Sequence, residues 1–419
     1  MNGDDDPAEP RLHPEPRLPP EPRLPPESRL PAEVSMHPET RAIRAGRTAN
    51  DGSLSAPLWS TSVWTSPSIV AARRSATGVR AERFYTRYGN PTVRAFEEAV
   101  ATLEGAESSL AFASGMGAVA SVLYALCSPG DHVVAQRQIY GGTLQLLQMM
   151  EARFGLEVTW VDVTEPGAFA AAVRPGKTVV VWAETPANPR VAVADLHELG
   201  SIRGPFTVVD GTLAPPVIQR PLEHGVSLVL HSATKGIAGH NDATLGVVSG
   251  DADLVDELWR YAVLHGASAS PHDALNALRG IRTLAVRTAR QCETALTLAR
   301  HLATHRSVDR VHHPGLDEHP QHDIAKRQMD AYGSLFSFEV RGGADEAAAV
   351  CERVQVAQLA TSLGGPETLL TVPAMTTHVG LSPDDRLLAG VTANMVRVSV
   401  GLEHADDLRA DLDRALAGP

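Results

Sequence analysis

One lysine in this sequence has neighbours suited to covalent chemistry. The segment HSATKGIAGHND places Lys235 directly after an apolar run, with Ser232 and Thr234 just before it. Such a position can present an amine to a cofactor while the hydroxyls and backbone N–H groups meet a phosphate. Most lysines in turns are surface residues. Here the only other lysines are Lys177 and Lys326, so a lysine inside a motif indicates function.

Two further segments place polar groups at the ends of apolar runs. FTVVDGTLAPP ends its run with Asp210, an acid suited to a protonated ring nitrogen in a cofactor that takes up electrons. Asp-Gly is also an ordinary turn sequence. LAFASGMGAVAS predicts a strand, a turn at 114–117 and a helix whose first N–H groups attract a phosphate. Small residues also serve simple turns, so both readings of this turn stay open.

Short β-rich runs alternate with amphipathic stretches from about residue 104 to residue 250. This alternation predicts βα units around a mostly parallel sheet, whose ligands lie at the carboxyl ends of the strands. The candidate strands are SSLAFA, HVVAQ, EVTWVD, VVVWAET, FTVVDG, LVLHSA and LGVVSG. Helices are expected at 117–126, 142–153 and 194–199. After residue 251, a long helical segment at 281–305, the strands SLFSFEV and VRVSV and a closing helix at 405–417 predict a smaller α+β domain.

Composition limits the classes of partner. A chain of 419 residues that is 43% hydrophobic can bury a large core, and its net charge of −12 argues against nucleic acid or an anionic membrane as partner. The three widely spaced cysteines favour reduced thiols in a cytoplasmic protein and form no metal-ligand pattern. No apolar run is long enough to span a bilayer and no signal peptide is evident. A small-molecule substrate is expected.

The N-terminal segment is rich in proline. Residues 10–33 repeat a six-residue unit, PRLHPE, PRLPPE, PRLPPE and SRLPAE. Dense proline blocks helices and sheet ladders, so residues 1–35 are expected to form a disordered tail. A role as ligand for partner domains stays open.

Seven ordered blocks carry a family resemblance. They are YTRYGNPT at 85–92, ASGM at 113–116, YGGT at 140–143, ETPANP at 184–189, SATKGIAGHND at 232–242, SLGGPETL at 362–369 and RVSVGLE at 397–403. From about Glu39 to its C-terminus the chain resembles the cystathionine γ-synthase, cystathionine γ-lyase and methionine γ-lyase family. This is the Cys/Met-metabolism branch of fold-type I enzymes that use pyridoxal phosphate (PLP). The resemblance implies an α/β fold-type I PLP-dependent transferase fold with a seven-stranded sheet flanked by helices, a smaller C-terminal α+β domain and an N-terminal arm.

The resemblance also implies how PLP is held. Lys235 carries it as a Schiff base and moves protons, Tyr140 stacks on its ring, and Asp210 pairs with its nitrogen. The full implied cofactor set is Lys235, Asp210, Ser232, Thr234, Gly115, Met116, Tyr140, Tyr85 and Arg87. No metal is expected.

Two of these residues are expected to act across a subunit interface. In the family, residues matching Tyr85 and Arg87 reach the neighbouring subunit's cofactor phosphate, which implies a homodimer or homotetramer with shared active sites. Arg397 and Asn188 match the clamp for the substrate carboxylate, where a guanidinium fork binds a carboxylate bidentately. Ser362 is expected to help through its backbone.

Three positions depart from the family pattern and bear on the substrate. Gly211 stands where the family usually has Asn, and Gly236 where an aromatic residue often follows the lysine. Thr361 stands where enzymes that handle cystathionine commonly carry Glu. The missing carboxylate removes a partner for the distal ammonium of cystathionine, which argues against housekeeping transsulfuration.

The reaction implied is γ-elimination on a small L-amino acid with a γ-leaving group. Lys235 removes the Cα proton of the external aldimine, a second proton leaves Cβ, and loss of the γ-group gives a vinylglycine-type intermediate. Tyr140 or Tyr85 gives acid–base help. Three alternatives stay open. They are γ-replacement by a thiol, as in cystathionine γ-synthase or O-acylhomoserine sulfhydrylase, expulsion of an unusual group such as halide, and a catalytically retired scaffold protein.

Four segments follow from these observations. Residues 1–35 form the tail, and 36–95 form an arm that contributes to the partner's active site. Residues 96–280 form the large PLP-binding domain and 281–419 the C-terminal α+β domain.

Overall fold

A seven-stranded sheet organises the larger part of the chain. The computed structural model describes residues 36–48 and 50–418, so the predicted tail lies outside the described residues. The strands of this sheet are β1 Ser108–Phe112, β2 His132–Gln136, β3 Glu157–Val161, β4 Thr178–Glu184, β5 Phe206–Asp210, β6 Leu228–His231 and β7 Gly246–Gly250. Their order is β1-β7-β6-β5-β4-β2-β3, and only β7 runs antiparallel to its neighbours. The predicted mostly parallel sheet is confirmed.

Helices cover both faces of this sheet. They are α1 Pro38–Arg44, α2 Ile69–Thr77, α3 Pro91–Glu104, α4 Gly115–Leu126, α5 Gly141–Phe154, α6 Ala168–Ala172, α7 Leu196–Ser201, α8 Ala252–His265 and α9 Pro271–Ile281. One core cluster joins Leu123, Leu147 and Leu258, from α4, α5 and α8, to the β4 residue Trp182. Other clusters join α3 and α9, and α7, to the sheet. Because both faces are covered, the central strands read as continuous apolar runs.

The rest of the chain forms a smaller sheet with its own helices. Its strands are β8 Val308–His312, β9 Leu335–Val340, β10 Gln358–Leu359, β11 Leu369–Thr371 and β12 Met395–Ser399, in the order β10-β11-β12-β9-β8. Its helices are α10 Leu284–Ala303, α11 His322–Gln328, α12 Gly343–Arg353, α13 Pro383–Leu388 and α14 Ala405–Ala417. A core cluster joins α10, α12 and α14 to this sheet. The expected second α+β unit is confirmed, and the domain boundaries at residues 95 and 280 stay predictions.

Two of the predicted helices begin later than expected, and side-chain hydrogen bonds lie at both starts. The Asp195 carboxylate accepts the backbone N–H of His197 at 2.9 Å, so α7 begins two residues later than the expected start at 194. The helix expected at 281–305 is α10, which begins at Leu284 because α9 ends at Ile281. In the turn between them, the Arg282 guanidinium bonds the carbonyls of Ala42 and Ala45, each at 2.8 Å. Periodicity does not reveal such long-range bonds.

None of the helices formed by the described residues is long and apolar enough to span a membrane. The cytoplasmic location expected from the cysteines stays a prediction.

The parallel strands bring their carboxyl ends to one edge of the large sheet. β4 ends at Glu184 and β5 at Asp210, which are direct register partners. The loop that carries Lys235 follows β6 at this same edge. The fold therefore places Asp210 and the Lys235 loop at the same edge of the sheet.

Candidate active site

Lys235 lies in the turn after β6 and reaches the smaller domain. Its Nζ atom donates a hydrogen bond to the Ser362 hydroxyl at 2.8 Å. Burial, and then the positive charge of Arg397, lower the pKa of the Lys235 amine. A lowered pKa favours the neutral amine, which is the nucleophilic form.

Asp210 presents a buried carboxylate at the end of β5. Its Oδ1 atom accepts hydrogen bonds from the backbone N–H and hydroxyl of Thr212, at 3.0 and 2.5 Å, and the side chain is only 7% exposed. Burial raises the pKa of Asp210, and the bonds from Thr212 and the nearby His231 oppose that rise. Among the described residues, Oδ2 accepts no hydrogen bond. Such a carboxylate is suited to a cationic N–H partner.

A glycine brings the start of α4 against Ser232. A Cβ atom on Gly115 would lie 2.8 Å from the Ser232 Cβ, a contact that only glycine avoids. Ser114 caps this twelve-residue helix by accepting the Gly117 N–H at 3.0 Å. The first N–H groups of a helix, here those of Gly115 and Met116, have no intrahelical partner. Together with the Ser232 hydroxyl they form a surface that suits a phosphate.

Thr234 is placed differently from Ser232. Its hydroxyl donates to the Leu245 carbonyl at 3.2 Å and accepts the Leu245 N–H at 2.9 Å. Both bonds tie the Lys235 loop to the segment before β7. The phosphate contact expected for Thr234 stays a prediction that requires this hydroxyl to rotate.

Tyr140 presents its ring at the start of α5. The side chain is 44% exposed, and a Cβ atom on Gly142 would lie 2.6 Å from the ring. Only glycine therefore lets the ring take this position. The partly exposed ring is accessible to a ligand.

Arg397 on β12 forms the centre of a buried polar cluster. Its guanidinium donates to the Ser362 carbonyl at 2.7 Å and to Asn188 Oδ1 at 3.4 Å, while its Nε atom is buried without a partner. Burial lowers the pKa of Arg397 to about 10, so it stays charged at neutral pH. It forms no ion pair within the described part of the chain. A buried, uncompensated guanidinium is suited to bind a carboxylate from a ligand.

Ser362 connects Lys235 to Arg397 through a strained backbone. Its φ angle is +79°, a left-handed value that is uncommon for a residue other than glycine. This conformation lets the carbonyl face Arg397 while the hydroxyl faces Lys235. Thr361, directly before it, is exposed. Strain of this kind concentrates at functional sites.

Two predicted site residues lie apart from this cluster. Arg87 donates to the Val263 carbonyl at 2.7 Å, and its guanidinium lies 5.5 Å from the Tyr85 ring. Within residues 36–48 and 50–418, no hydrogen bond or ion pair joins either residue to Lys235. Their contribution to a site stays a prediction about a second copy of the chain.

The sequence prediction missed Glu184, although this residue opens the ETPANP block. Its Oε1 atom accepts the Asn188 N–H at 3.0 Å and its Oε2 atom the Tyr140 N–H at 2.6 Å. Burial, and then the neighbouring Asp210, raise the pKa of Glu184 to about 8. Only the fold shows that the Glu184 side chain accepts the N–H groups of both Asn188 and Tyr140.

Comparison with known proteins decides the family. A family model described as Cys/Met metabolism PLP-dependent enzyme matches residues 39–417. The chain belongs to this family. It is 40% identical over 384 residues to L-methionine gamma-lyase of Pseudomonas putida, covering 90% of this chain and 96% of that protein. It is 41% identical to cystathionine beta-lyase of Coxiella burnetii, covering 91% and 98%.

A solved structure of the same family has a closely similar fold. Cystathionine gamma synthase from Xanthomonas oryzae pv. oryzae, in complex with aminoacrylate and cysteine, superposes with a TM-score of 0.85 at 36% identity. The match covers 91% of this chain and 98% of that structure. The predicted family, fold class and PLP cofactor are confirmed, and the protein is a PLP-dependent enzyme of Cys/Met metabolism.

The residues present fit PLP in three respects. The close approach that Gly115 allows leaves an open helix N-terminus beside Ser232 for the phosphate. Asp210 keeps one oxygen available for the ring nitrogen. The amine of Lys235, with its lowered pKa, is available for the aldehyde.

Proposed function

We propose that this enzyme catalyses γ-elimination on a small L-amino acid that carries a leaving group on its γ-carbon. The observation that carries the proposal is the bridge through Ser362, whose two oxygens bond Lys235 and Arg397. A substrate carboxylate on Arg397 brings the substrate α-carbon towards the Lys235 amine. The similarity to a methionine gamma-lyase supports the same chemistry.

The chain's own residues divide the work. Arg397 and Asn188 bind and orient the substrate carboxylate, and the amine of Lys235, whose pKa is lowered, takes the proton from Cα. When bound, PLP supplies the electron sink for the charge left on Cα. Asp210 holds the ring nitrogen of the cofactor, and Ser232 with the amides of Gly115 and Met116 holds its phosphate.

Departure of the γ-group needs a proton donor near the far end of the substrate. Tyr140 presents an exposed phenol at the same edge as Lys235. Tyr85 from a second copy of the chain is the alternative donor. Thr361, directly before Ser362, offers an exposed hydroxyl and no carboxylate, which favours a short substrate without a distal ammonium.

A second copy of the chain completes the site in this proposal. The segment before α3 exposes large apolar side chains, including Leu54 at 82% and Ile69 at 84%, and α2 buries none of its residues. Exposed apolar surface of this extent is typical of a protein interface. A homodimer or homotetramer would cover it and bring Tyr85 and Arg87 to the neighbouring cofactor.

Replacement at the γ-carbon is the second candidate reaction, and the similarity to a cystathionine gamma synthase favours it. Elimination and replacement can be distinguished by their products. The enzyme is incubated with methionine, homoserine esters, cystathionine and γ-halo amino acids, with and without a thiol. Elimination gives ammonia and an α-keto acid in every case, whereas replacement consumes the thiol and gives a new amino acid.

A further inference from the structure

Glu184 holds two parts of the candidate site from one buried carboxyl group. Its side chain is 3% exposed, and each oxygen accepts one backbone N–H, from Asn188 and from Tyr140. These two residues come from different segments, since Tyr140 follows β2 and Asn188 follows β4. One belongs to the cofactor position and the other to the Arg397 cluster.

The backbone around Glu184 is held in place as well. Gln136, at the end of β2, accepts the Glu184 N–H at 3.1 Å and donates to the Gln138 carbonyl at 2.7 Å. The turn that leads from β2 to Tyr140 is therefore tied to β4 at two points. A shift of the Glu184 carboxylate would move the Tyr140 backbone and the Asn188 backbone together.

A carboxylate that holds backbone N–H groups can serve the fold alone, and Asp411 shows this elsewhere. Its oxygens accept the N–H groups of Gln355, Val356 and Ala357 within the smaller domain. Glu184 differs because both of its partners line the candidate site. It also faces Asp210 directly across the β4–β5 register.

We propose that Glu184 is a positioning residue that sets, through two backbone N–H groups, both the tyrosine ring at the cofactor and the asparagine amide beside Arg397. The proposal rests on the proposed roles of Tyr140 and Asn188. In this proposal Glu184 acts on substrate and cofactor only through these two residues, whose backbone N–H groups it accepts.

Two binding constants test the proposal, one for each partner. The first is the dissociation constant of PLP, which depends on the Tyr140 ring. The second is the ratio of the dissociation constants of L-norleucine and n-pentylamine, followed by absorbance. The two probes have the same alkyl chain and amine, but only norleucine has a carboxylate. The ratio of their dissociation constants therefore reports the Asn188–Arg397 clamp. A defect confined to the fold would change the melting temperature and not this ratio.

Three variants give the expected pattern. Glu184→Met keeps the side-chain length but removes both acceptors, and should weaken PLP binding and the carboxylate preference about tenfold each. Glu184→Gln keeps one acceptor oxygen. It should weaken mainly one of the two properties, either PLP binding or the carboxylate preference. Asp411→Asn, the matched control, should lower the melting temperature and leave both constants within about twofold.

Controls separate this proposal from the proposed function. PLP must be bound through Lys235, and Arg397→Ala must abolish the preference for norleucine; if either fails, the proposed function is wrong. If both hold and Glu184→Met behaves like Asp411→Asn, the role of Glu184 is wrong. Should Glu184→Met fail to fold, Glu184→Gln decides, because two unchanged constants in that variant would overturn the proposal.

Discussion

The Lys235 amine donates a hydrogen bond to the Ser362 hydroxyl at 2.8 Å, although 127 residues separate the two in sequence. The Ser362 carbonyl accepts a second bond from Arg397. The Lys235 amine and the Arg397 guanidinium are thus held on either side of one residue.

Arg397→Lys should lower kcat/KM about ten- to hundredfold, chiefly through KM. Lysine keeps the charge but loses the planar fork that bonds Ser362 and Asn188 while binding a carboxylate, and such charge-assisted bonds contribute about 1.5–3 kcal/mol. Steady-state kinetics check this. Arg341→Lys, on an exposed ion pair with Asp309, is the matched control. An unchanged KM in Arg397→Lys would contradict the clamp.

Thr361→Glu should shift selectivity towards cystathionine. The new carboxylate offers the distal ammonium of cystathionine a charge-assisted hydrogen bond, worth about 1.5–3 kcal/mol or roughly ten- to hundredfold. The comparison is kcat/KM for cystathionine and for a short γ-substituted amino acid in both proteins. If the unmutated enzyme already prefers cystathionine, the role assigned to Thr361 is wrong.

Mixed oligomers should recover activity from two inactive chains. Arg87→Ala removes the residue expected to reach the partner's phosphate, and Lys235→Ala removes the amine, so a hybrid dimer keeps one intact site. Turnover after mixing and re-assembly of the two variants measures this. A fully active monomer in sedimentation would show that each chain completes its own site.

Stability should fall as the pH falls from about 6.5 towards 4. Burial lowers the pKa of His313 to about 4, so between these values the unfolded chain binds more protons than the folded one. The folded state is stabilised above this range and loses about 2 kcal/mol per such histidine at pH 5. The melting temperature at pH 5 and at pH 7.5 checks the trend.

A substitution assigns part of that pH dependence to His313. The Nδ1 atom of His313 accepts the Gly315 N–H at 3.0 Å, an acceptor that His313→Asn retains without the titrating ring. Between pH 7.5 and pH 5, the melting temperature of this variant should drop less than that of the unmutated protein. His404→Asn, on the exposed surface, should show the same drop as the unmutated protein. Equal drops in all three proteins would refute the assignment.

Local sequence patterns predict where residues lie when those residues stand directly at the end of a strand or the start of a helix. Lys235 and Asp210 follow apolar strands, and the turn at 114–117 precedes a helix, so their place at the strand ends followed from the alternation of strands and helices. Glu184 could not be assigned in this way because one of its two partners, Tyr140, lies 44 residues away on another segment. The occupied hydroxyl of Thr234 likewise depends on Leu245, eleven residues away.

The backbone conformation of Ser362 and the exact helix starts are further features that local sequence patterns do not predict. The left-handed φ of Ser362 belongs to a residue type that rarely adopts it, so no residue pattern predicts it. The shifted helix starts have a different cause, since the Asp195 cap and the Arg282 bonds are made by side chains. Local patterns predict which elements form, and tertiary contacts decide where they end.

The most direct test of the account is the site of covalent PLP attachment. The purified enzyme is reduced with borohydride and digested, and the modified peptide is identified by mass. We expect the cofactor on Lys235 alone, and Lys235→Ala should lose both the visible absorbance of bound PLP and turnover, while Lys326→Ala keeps both. A reducible PLP adduct on Lys177 or Lys326, or turnover that survives in Lys235→Ala, would contradict the account.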